Sequence, residues 1–446
     1  MDEKKYLNWY NKIGYGSGDI AGNVVYALLS AFVMIYLTDT VGLNSGIIGT
    51  LMMISKLFDG VTDIFFSSMI DRTKSKMGKA RPWMLWCYVG NAVMLAAIFA
   101  IPKSLGDTAQ YAYFFITYTL LNAVFFTANN IAYSSLTALI TKNGNERVQM
   151  GSIRFIFAFG TSMAIQSFTV KLVTFFGGGS DGWKITAICY AIFGLIINTI
   201  SVFSVKELPE SIQDIKDSNG QTSEKLSLKQ SVKLLLSNKY YLIICAIYIL
   251  TQISSAMTTM GIFFMKYVLG DENLLGPFSV AMNLPMIVGL LLTQYLVKKL
   301  HGMYKLNLGG YIIAIVFRIL LIMSAIFGNV TLMLIFTALA FIGTSPLQGD
   351  LNALIAACSD YTYRTTNHRI DGTMYSCTSL GVKIGGGLGV SLSGWLLEAG
   401  GYIKNAAVQP KSCINILNFM YLWLPLIFTI IIAILLSKLK VEQANA

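Results

Sequence analysis

Charge is scarce in this chain. Asp, Glu, Lys and Arg together make up 12% of it against 55% hydrophobic residues, a balance far outside that of a soluble globular protein. A water-soluble enzyme or binding module is excluded on that ground. Hydrophilic connections are also few: the only long one runs from Lys206 to Lys239 and contains SIQDIKDSNGQTSEKLSLKQ. There is no CxxC pair, and Cys87, Cys189, Cys245, Cys358 and Cys377 fall within or beside apolar runs. The thiols therefore read as core residues rather than disulfides or metal ligands. Zinc-ligand spacing, a nucleophile elbow and a phosphate-cradling P-loop are missing as well, and the glycine-dense segments lie in apolar runs as packing surfaces. No covalent chemistry is called for, and the chain reads as a non-enzyme without a cofactor. The opening MDEKKYLNWYNK lacks an apolar stretch ahead of a cleavage site, so a removable signal peptide is not expected.

What the chain does have is apolar runs long enough to cross a bilayer, each needing about 20 residues of helix. About twelve are found, near 14–37, 46–70, 83–101, 111–140, 151–176, 183–205, 240–268, 275–297, 308–327, 330–357, 373–397 and 416–436. The Lys206–Lys239 connection divides them six and six. The expected organisation is an all-α membrane protein: an N-terminal bundle over 1–205, a cytoplasmic central loop over 206–239 and a C-terminal bundle over 240–446.

Basic residues set the orientation, because Lys and Arg in short loops stay on the cytoplasmic side. Lys4, Lys5 and Lys12 precede the first run. Arg72, Lys74, Lys76, Lys79 and Arg81 follow the second, and Lys142 and Arg147 the fourth. Lys298, Lys299, Lys305, Arg364 and Arg369 occupy later even-numbered connections, whereas odd-numbered ones hold little beyond Lys103, Lys184, Lys404 and Lys411. Both termini are expected in the cytoplasm. This topology accounts for the net charge of +11 and leaves no reason to invoke nucleic acid.

Against this background the stretch KLFDGVTD, Lys56–Asp63, stands out. On a helix Lys56, Asp59 and Asp63 share one face, and each aspartate near mid-membrane costs about 2.5–3.5 kcal/mol. That face must turn to protein or to an aqueous cavity. Lys56 pairing with Asp59 would be a purely structural solution. It leaves Asp63 unexplained, since carboxylates one turn apart repel unless a proton or a hard cation lies between them. A coupling-cation site is the better reading. Other polar groups recur at membrane depth: Asp19 and Asn23 one turn apart, Thr127 with Asn129 and Asn130, Arg154, and Lys383 among Gly381, Gly385, Gly386, Gly387 and Gly389. Interhelical hydrogen bonding for the asparagines and snorkelling for the two cations are the structural alternatives. With rings such as Tyr26, Phe126 and Tyr133, such groups suit a polyhydroxylated solute, and amino acids or organic ions would use similar ones.

Several stretches together resemble one family, the glycoside-pentoside-hexuronide:cation symporters, the melibiose-permease branch of the major facilitator superfamily. They are YGSGDIAGNVVY at Tyr15–Tyr26, YLTDTVGL at Tyr36–Leu43, KLFDGVTD at Lys56–Asp63, DRTKSKMGKARPW at Asp71–Trp83, FFMKYVLGD at Phe263–Asp271 and SDYTYRTTNHRIDGTMYSCTSLGVKIGGG at Ser359–Gly387. The resemblance implies twelve transmembrane helices in two six-helix bundles that rock about a solute site. It also implies Na⁺, Li⁺ or H⁺ at Asp59 and Asp63 with Thr127 as a further ligand, and sugar contacts from Asn23, Asn130, Arg154 and Lys383, beside which Tyr26 and Asp19 lie. Asn23 and Asn130 stand where melibiose permeases have aspartates, and Ser134 and Gln348 where they have tryptophans. The DRTK loop is similar to the superfamily's cytoplasmic loop, with Ser67 in place of its glycine, and Asp71 and Arg72 are candidates for a gating charge latch. The expected function is import of a glycoside, pentoside or hexuronide across the bacterial cytoplasmic membrane with a cation. Loss of two aspartates would leave Arg154 and Lys383 less neutralised and so admit an anionic sugar, such as a hexuronide or glucuronide, alongside neutral pentosides and galactosides. A non-sugar solute on the same scaffold and a transport-inactive sugar sensor are the alternatives.

Overall fold

A computed structural model describes residues 5–102, 104–209, 228–300, 302–366, 371–404 and 406–445. Every regular element among them is helical. In chain order they are α1 Trp9–Gly16, α2 Gly18–Ile35, a π-helical segment Tyr36–Val41, α3 Ser45–Arg72, α4 Arg81–Ile98, α5 Asp107–Thr119, a second π segment Leu120–Phe126, α6 Thr127–Ile140, α7 Gly144–Phe175 and α8 Gly179–Ser204. Then come α9 Leu228–Ser237, α10 Lys239–Thr258, α11 Gly261–Tyr267, a 3₁₀ turn Glu272–Leu274, α12 Leu275–Leu300, α13 Met303–Ile326, α14 Val330–Thr366, α15 Asp371–Ala399, α16 Lys411–Asn418, a third π segment Phe419–Trp423, α17 Leu424–Lys438 and α18 Val441–Asn445.

Ten helical stretches among the described residues are long and apolar enough to span a bilayer, which makes this a multi-pass membrane protein. The runs expected near 46–70 and 83–101 are helices too, α3 and α4, but fall outside those ten. Lys56, Asp59 and Asp63 dilute the apolarity of α3, and Arg81 and Asn91 that of α4.

Helices extend past the apolar runs that predicted them. α7 starts at Gly144 rather than 151, and α14 continues to Thr366 rather than 357, because a helix needs its hydrogen-bond ladder everywhere and apolar faces only at membrane depth. The run expected over 240–268 is broken between α10 and α11. Asparagine starts several helices: Asn44 accepts the Ile47 N–H at 3.0 Å, Asn143 those of Asn145 and Glu146 at 2.9 and 3.2 Å, and Asn238 those of Tyr240 and Tyr241, each at 3.0 Å. Each cap satisfies amides that the helix itself leaves open. Of the central loop, residues 210–227 lie outside those described, as do the topology markers Lys4, Lys103 and Arg369. Its last part is helical, as α9.

By compactness the chain forms two units. The first comprises Met1–Ser218, Met265–Gly276 and Gly394–Cys413; the second comprises Asn219–Phe264, Pro277–Ser393 and Ile414–Ala446. In the first, Tyr15, Met84, Tyr133, Leu136, Met150 and Val202 form a buried cluster from α1, α4, α6, α7 and α8. In the second, Tyr241, Ile244, Tyr311, Leu354, Met374 and Ile432 do so from α10, α13, α14, α15 and α17.

The units share a local device. In the first, the Glu207 carboxylate accepts the N–H groups of Lys79, Ala80 and Arg81 at 2.7, 2.9 and 3.1 Å, at the start of α4 just after Gly78 (φ 108°). In the second, Glu442 accepts those of Met303 and Tyr304 at 3.0 and 2.8 Å, at the start of α13 just after Gly302 (φ 146°). A carboxylate on a helix N-terminus meets both its open amides and the positive end of its dipole. A side chain on either glycine would meet the capping carboxylate as well as a strained backbone.

Candidate cation and solute site

The face of α3 that carries charge is turned to protein. Lys56, Asp59 and Asp63 are half-buried, while Leu57, Phe58, Val61 and Phe65 on the other faces are 49–70% exposed. Helical phase alone produces this sorting: residues at i, i+3 and i+7 share a side, and the apolar residues between them take the rest of the circumference.

Against Asp59 stands Thr127. Its hydroxyl hydrogen-bonds the Asp59 Oδ1 and lies 2.8 Å from the Asn122 carbonyl oxygen. The single proton of the hydroxyl serves one of these acceptors at a time. Thr127 is the first residue of α6, straight after the π segment Leu120–Phe126, and the hydroxyl meets a carbonyl five residues back, as that geometry allows. A carboxylate, a hydroxyl and a main-chain carbonyl thus present oxygens around one point. This is the donor type that a hard cation takes. Among the described residues no group of three His, Cys, Asp or Glu side chains is placed to hold a metal ion. Of the expected cation ligands, Asp59 and Thr127 are brought into contact. Asp63 follows one turn later on the same face.

A second polar cluster lies on α1, α2, α6 and α7. The Arg154 Nε donates to Asp19 Oδ2 at 2.6 Å. Its guanidinium lies 4.3 Å from the centroid of the Tyr133 ring, a cation–π distance. The Tyr133 hydroxyl is 3.0 Å from the same Asp19 oxygen and 2.9 Å from the Tyr15 carbonyl, while the Tyr15 hydroxyl donates to the Tyr133 carbonyl at 2.9 Å. The two rings pack 4.7 Å apart. Gly18 permits this approach, since a Cβ there would come within 2.6 Å of the Tyr133 ring.

Arg154, expected to be less neutralised for want of aspartates at positions 23 and 130, has Asp19 as a direct partner. Asn23 donates its side-chain amide to the Asp19 main-chain carbonyl at 2.9 Å and so sits beside the pair. Asn130 is exposed, whereas its neighbour Asn129 is buried and donates to the Met84 carbonyl at 2.8 Å. Of the adjacent asparagines, Asn129 thus ties α6 to α4, the interhelical role foreseen as the structural alternative. Tyr26 is 54% exposed on α2. Asp71 and Arg72 close α3 and are both exposed. Lys383 belongs to the second unit, half-buried on α15, where Gly385 and Gly389 lie against the main chain of Ile249 and Ile253 on α10.

Helices of bilayer length, carboxylates turned inward and a half-buried polar cluster together describe a membrane carrier, and the sequence profile of one family matches residues 14–443. The chain belongs to the MFS/sugar transport protein family. It is 29% identical to the isoprimeverose transporter of Lactiplantibacillus pentosus, over 99% of this chain and 90% of that protein. It is 25% identical to the glucuronide carrier protein homolog of Escherichia coli K12, over 92% of this chain and 88% of that one. Among solved structures, a D-xylose-proton symporter aligns with a TM-score of 0.67 and 13% identity, over 98% of both chains. That likeness establishes the major facilitator fold.

The sequence alone pointed to Asp59, Thr127, Asp19, Arg154 and Tyr133 but not to Tyr15 or to the Asn122 carbonyl. Tyr15 carried no charge and sat in a quoted motif without a role. The Asn122 carbonyl had no side-chain signal at all.

Proposed function

We propose that this family member is a secondary transporter that imports a glycoside, oligosaccharide, pentoside or hexuronide across the bacterial cytoplasmic membrane with Na⁺ or H⁺. It would do so with twelve spans in two six-helix bundles and both termini in the cytoplasm. The observation that carries the coupling is the contact between Asp59 and Thr127 beside the Asn122 carbonyl. A cation there relieves repulsion between Asp59 and Asp63 and draws α3 against α6. The same helix, α6, carries Asn130 and Tyr133 on the solute side. Cation and solute thus act on one rigid element, and each raises the affinity of the other by the same factor.

In this reading Asn23, Asn130, Asp19, Arg154 and Tyr26 contact solute hydroxyls, and the resemblance implies Lys383 as a further sugar contact. The Arg154–Asp19 pair supports a neutral glycoside over an anionic one, because a fixed carboxylate already occupies the guanidinium. A same-fold carrier of a non-sugar solute is the weaker alternative, since the named relatives carry sugars; a sensor is not favoured. The test is uptake of a panel of labelled glycosides into proteoliposomes, with and without a Na⁺ gradient at fixed pH. Gradient-stimulated accumulation of at least one glycoside is expected. Absence of both uptake and counterflow across the panel would overturn the reading.

A further inference from the structure

Two of the motifs that carry the family resemblance, YLTDTVGL and FFMKYVLGD, have no part in the site above, and they meet each other. Asp39, 7% exposed, lies in the π segment that ends the first long span. Its Oδ2 accepts from Lys266 Nζ at 2.6 Å and from the Tyr267 hydroxyl at 2.7 Å, and its Oδ1 accepts from the Tyr402 hydroxyl. The two phenols are 3.1 Å apart. Around this centre Lys404 Nζ donates to the Gly42 carbonyl at 2.6 Å, Asn44 donates to Glu398 at 2.8 Å, the Ser45 hydroxyl donates to the Gly394 carbonyl at 3.2 Å and the Trp395 indole donates to Thr50 at 2.9 Å. All of these residues belong to the first unit. Lys266, Tyr267, Trp395, Glu398, Tyr402 and Lys404 nonetheless come from the second half of the sequence, where helices on either side belong to the second unit.

The two motifs end their helices alike. Leu43 N–H reaches back six residues to Leu37, and Asp271 N–H six residues to Met265, with Gly42 and Gly270 left-handed at φ 92° and 78°. This is one C-terminal capping turn used twice, and by its register Asp39 corresponds to Tyr267 and Thr38 to Lys266. Equivalent helix ends thus carry opposite partners of one ion pair. Here the centre is a carboxylate, an ammonium and two phenols, and the lysine side chain is still 33% exposed, so water can take over each partner when the contact parts.

We propose that the Asp39 cluster is a latch on the non-cytoplasmic side, one that must come apart and re-form in every transport cycle, with Asp39 its positioning residue. The proposal rests on the transporter reading above. It commits the connections after the first, seventh and eleventh spans, the odd-numbered ones poor in basic residues, to moving apart together when solute passes.

The test uses full-length protein in proteoliposomes, in a background whose native cysteines are replaced and whose counterflow of a labelled glycoside is measured first. Asn44→Cys and Glu398→Cys are joined by a short reversible thiol cross-linker. Joining should abolish counterflow while leaving equilibrium binding of the glycoside in detergent, and reduction should restore counterflow. Asp39→Asn and Tyr402→Phe, the second serving if the first does not fold, should change the maximal exchange rate by about tenfold with little change in the half-saturating glycoside concentration. Counterflow that continues in the cross-linked protein would overturn the latch alone. So would wild-type exchange rates in both substituted proteins. Absence of counterflow before cross-linking, across the glycoside panel, would overturn the transporter reading and the latch with it.

Discussion

Asp59→Asn removes a charge and almost nothing else. The amide keeps an oxygen that can accept from Thr127, whose hydroxyl also has the Asn122 carbonyl at 2.8 Å. What is lost locally is the difference between a hydrogen bond to a charged group, about 1.5–3 kcal/mol, and a neutral one, about 0.5–1.5 kcal/mol. The Thr127 contact itself should therefore weaken by only about 1 kcal/mol. Coupling should fail outright. With one cation moved per solute, each 100 mV of inside-negative potential supplies about 2.3 kcal/mol, enough for roughly fiftyfold accumulation at about 1.4 kcal/mol per tenfold. In proteoliposomes clamped at that potential the parent should approach this ratio and Asp59→Asn should stay near unity, while counterflow of the same glycoside persists. Accumulation by Asp59→Asn equal to the parent's would refute the cation assignment. Loss of counterflow together with accumulation would place Asp59 in the solute site instead.

Thr127→Ala should leave solute binding intact and weaken the cation by up to about tenfold, one neutral hydrogen-bonding group being removed; the cation concentration for half-maximal uptake reads this directly. Asp19→Asn strips Arg154 of its counter-charge in a half-buried setting, between the roughly 0–1 kcal/mol of surface pairs and the roughly 3–5 kcal/mol of buried ones. It should lower the thermal midpoint and shift preference toward a glucuronide over the matching glucoside, whereas equal affinities would mean that Arg154 does not face the solute. Lys383→Ala should weaken the glucuronide more than the glucoside, since it removes a charge-assisted hydrogen bond to the sugar carboxylate, and equal losses in paired titrations would assign it to hydroxyls or packing. Arg72→Ala should alter transport rate more than affinity if α3 ends in a gate; an unchanged rate with normal insertion would leave it a topology marker.

Apolar runs and helical phase made the membrane class and the charged face of α3 legible, because both are properties of neighbours in sequence. Boundaries drawn from apolarity fell short of Gly144 and Thr366 for the same reason: hydrophobicity records where the bilayer is, not where the helix ends. Asp19 was visible as a buried charge, yet its assignment to Arg154 was not, since the pairing spans 135 positions and several cations competed for it. The Asp39–Lys266 contact spans 227. Nothing local in YLTDTVGL announces it, although an aspartate at the end of an apolar run has the same desolvation problem as those of α3 and must find a partner somewhere.

The π segment Leu120–Phe126 has a consequence for how this span tolerates changes in length. Each α-helical residue advances the chain by about 100°, so one residue inserted or deleted in α5 would swing all of α6 by about that angle, turning Thr127 from Asp59 and Tyr133 from Asp19 and Arg154. A π turn instead holds a surplus residue in one wider turn, and the helix beyond it keeps its phase. Deleting one residue there, Val124 for instance, would let the span wind regularly while Thr127 and Tyr133 keep their facing. Within this span the π segment is thus the place where a change of length is absorbed, and elsewhere it displaces Thr127 and Tyr133 together.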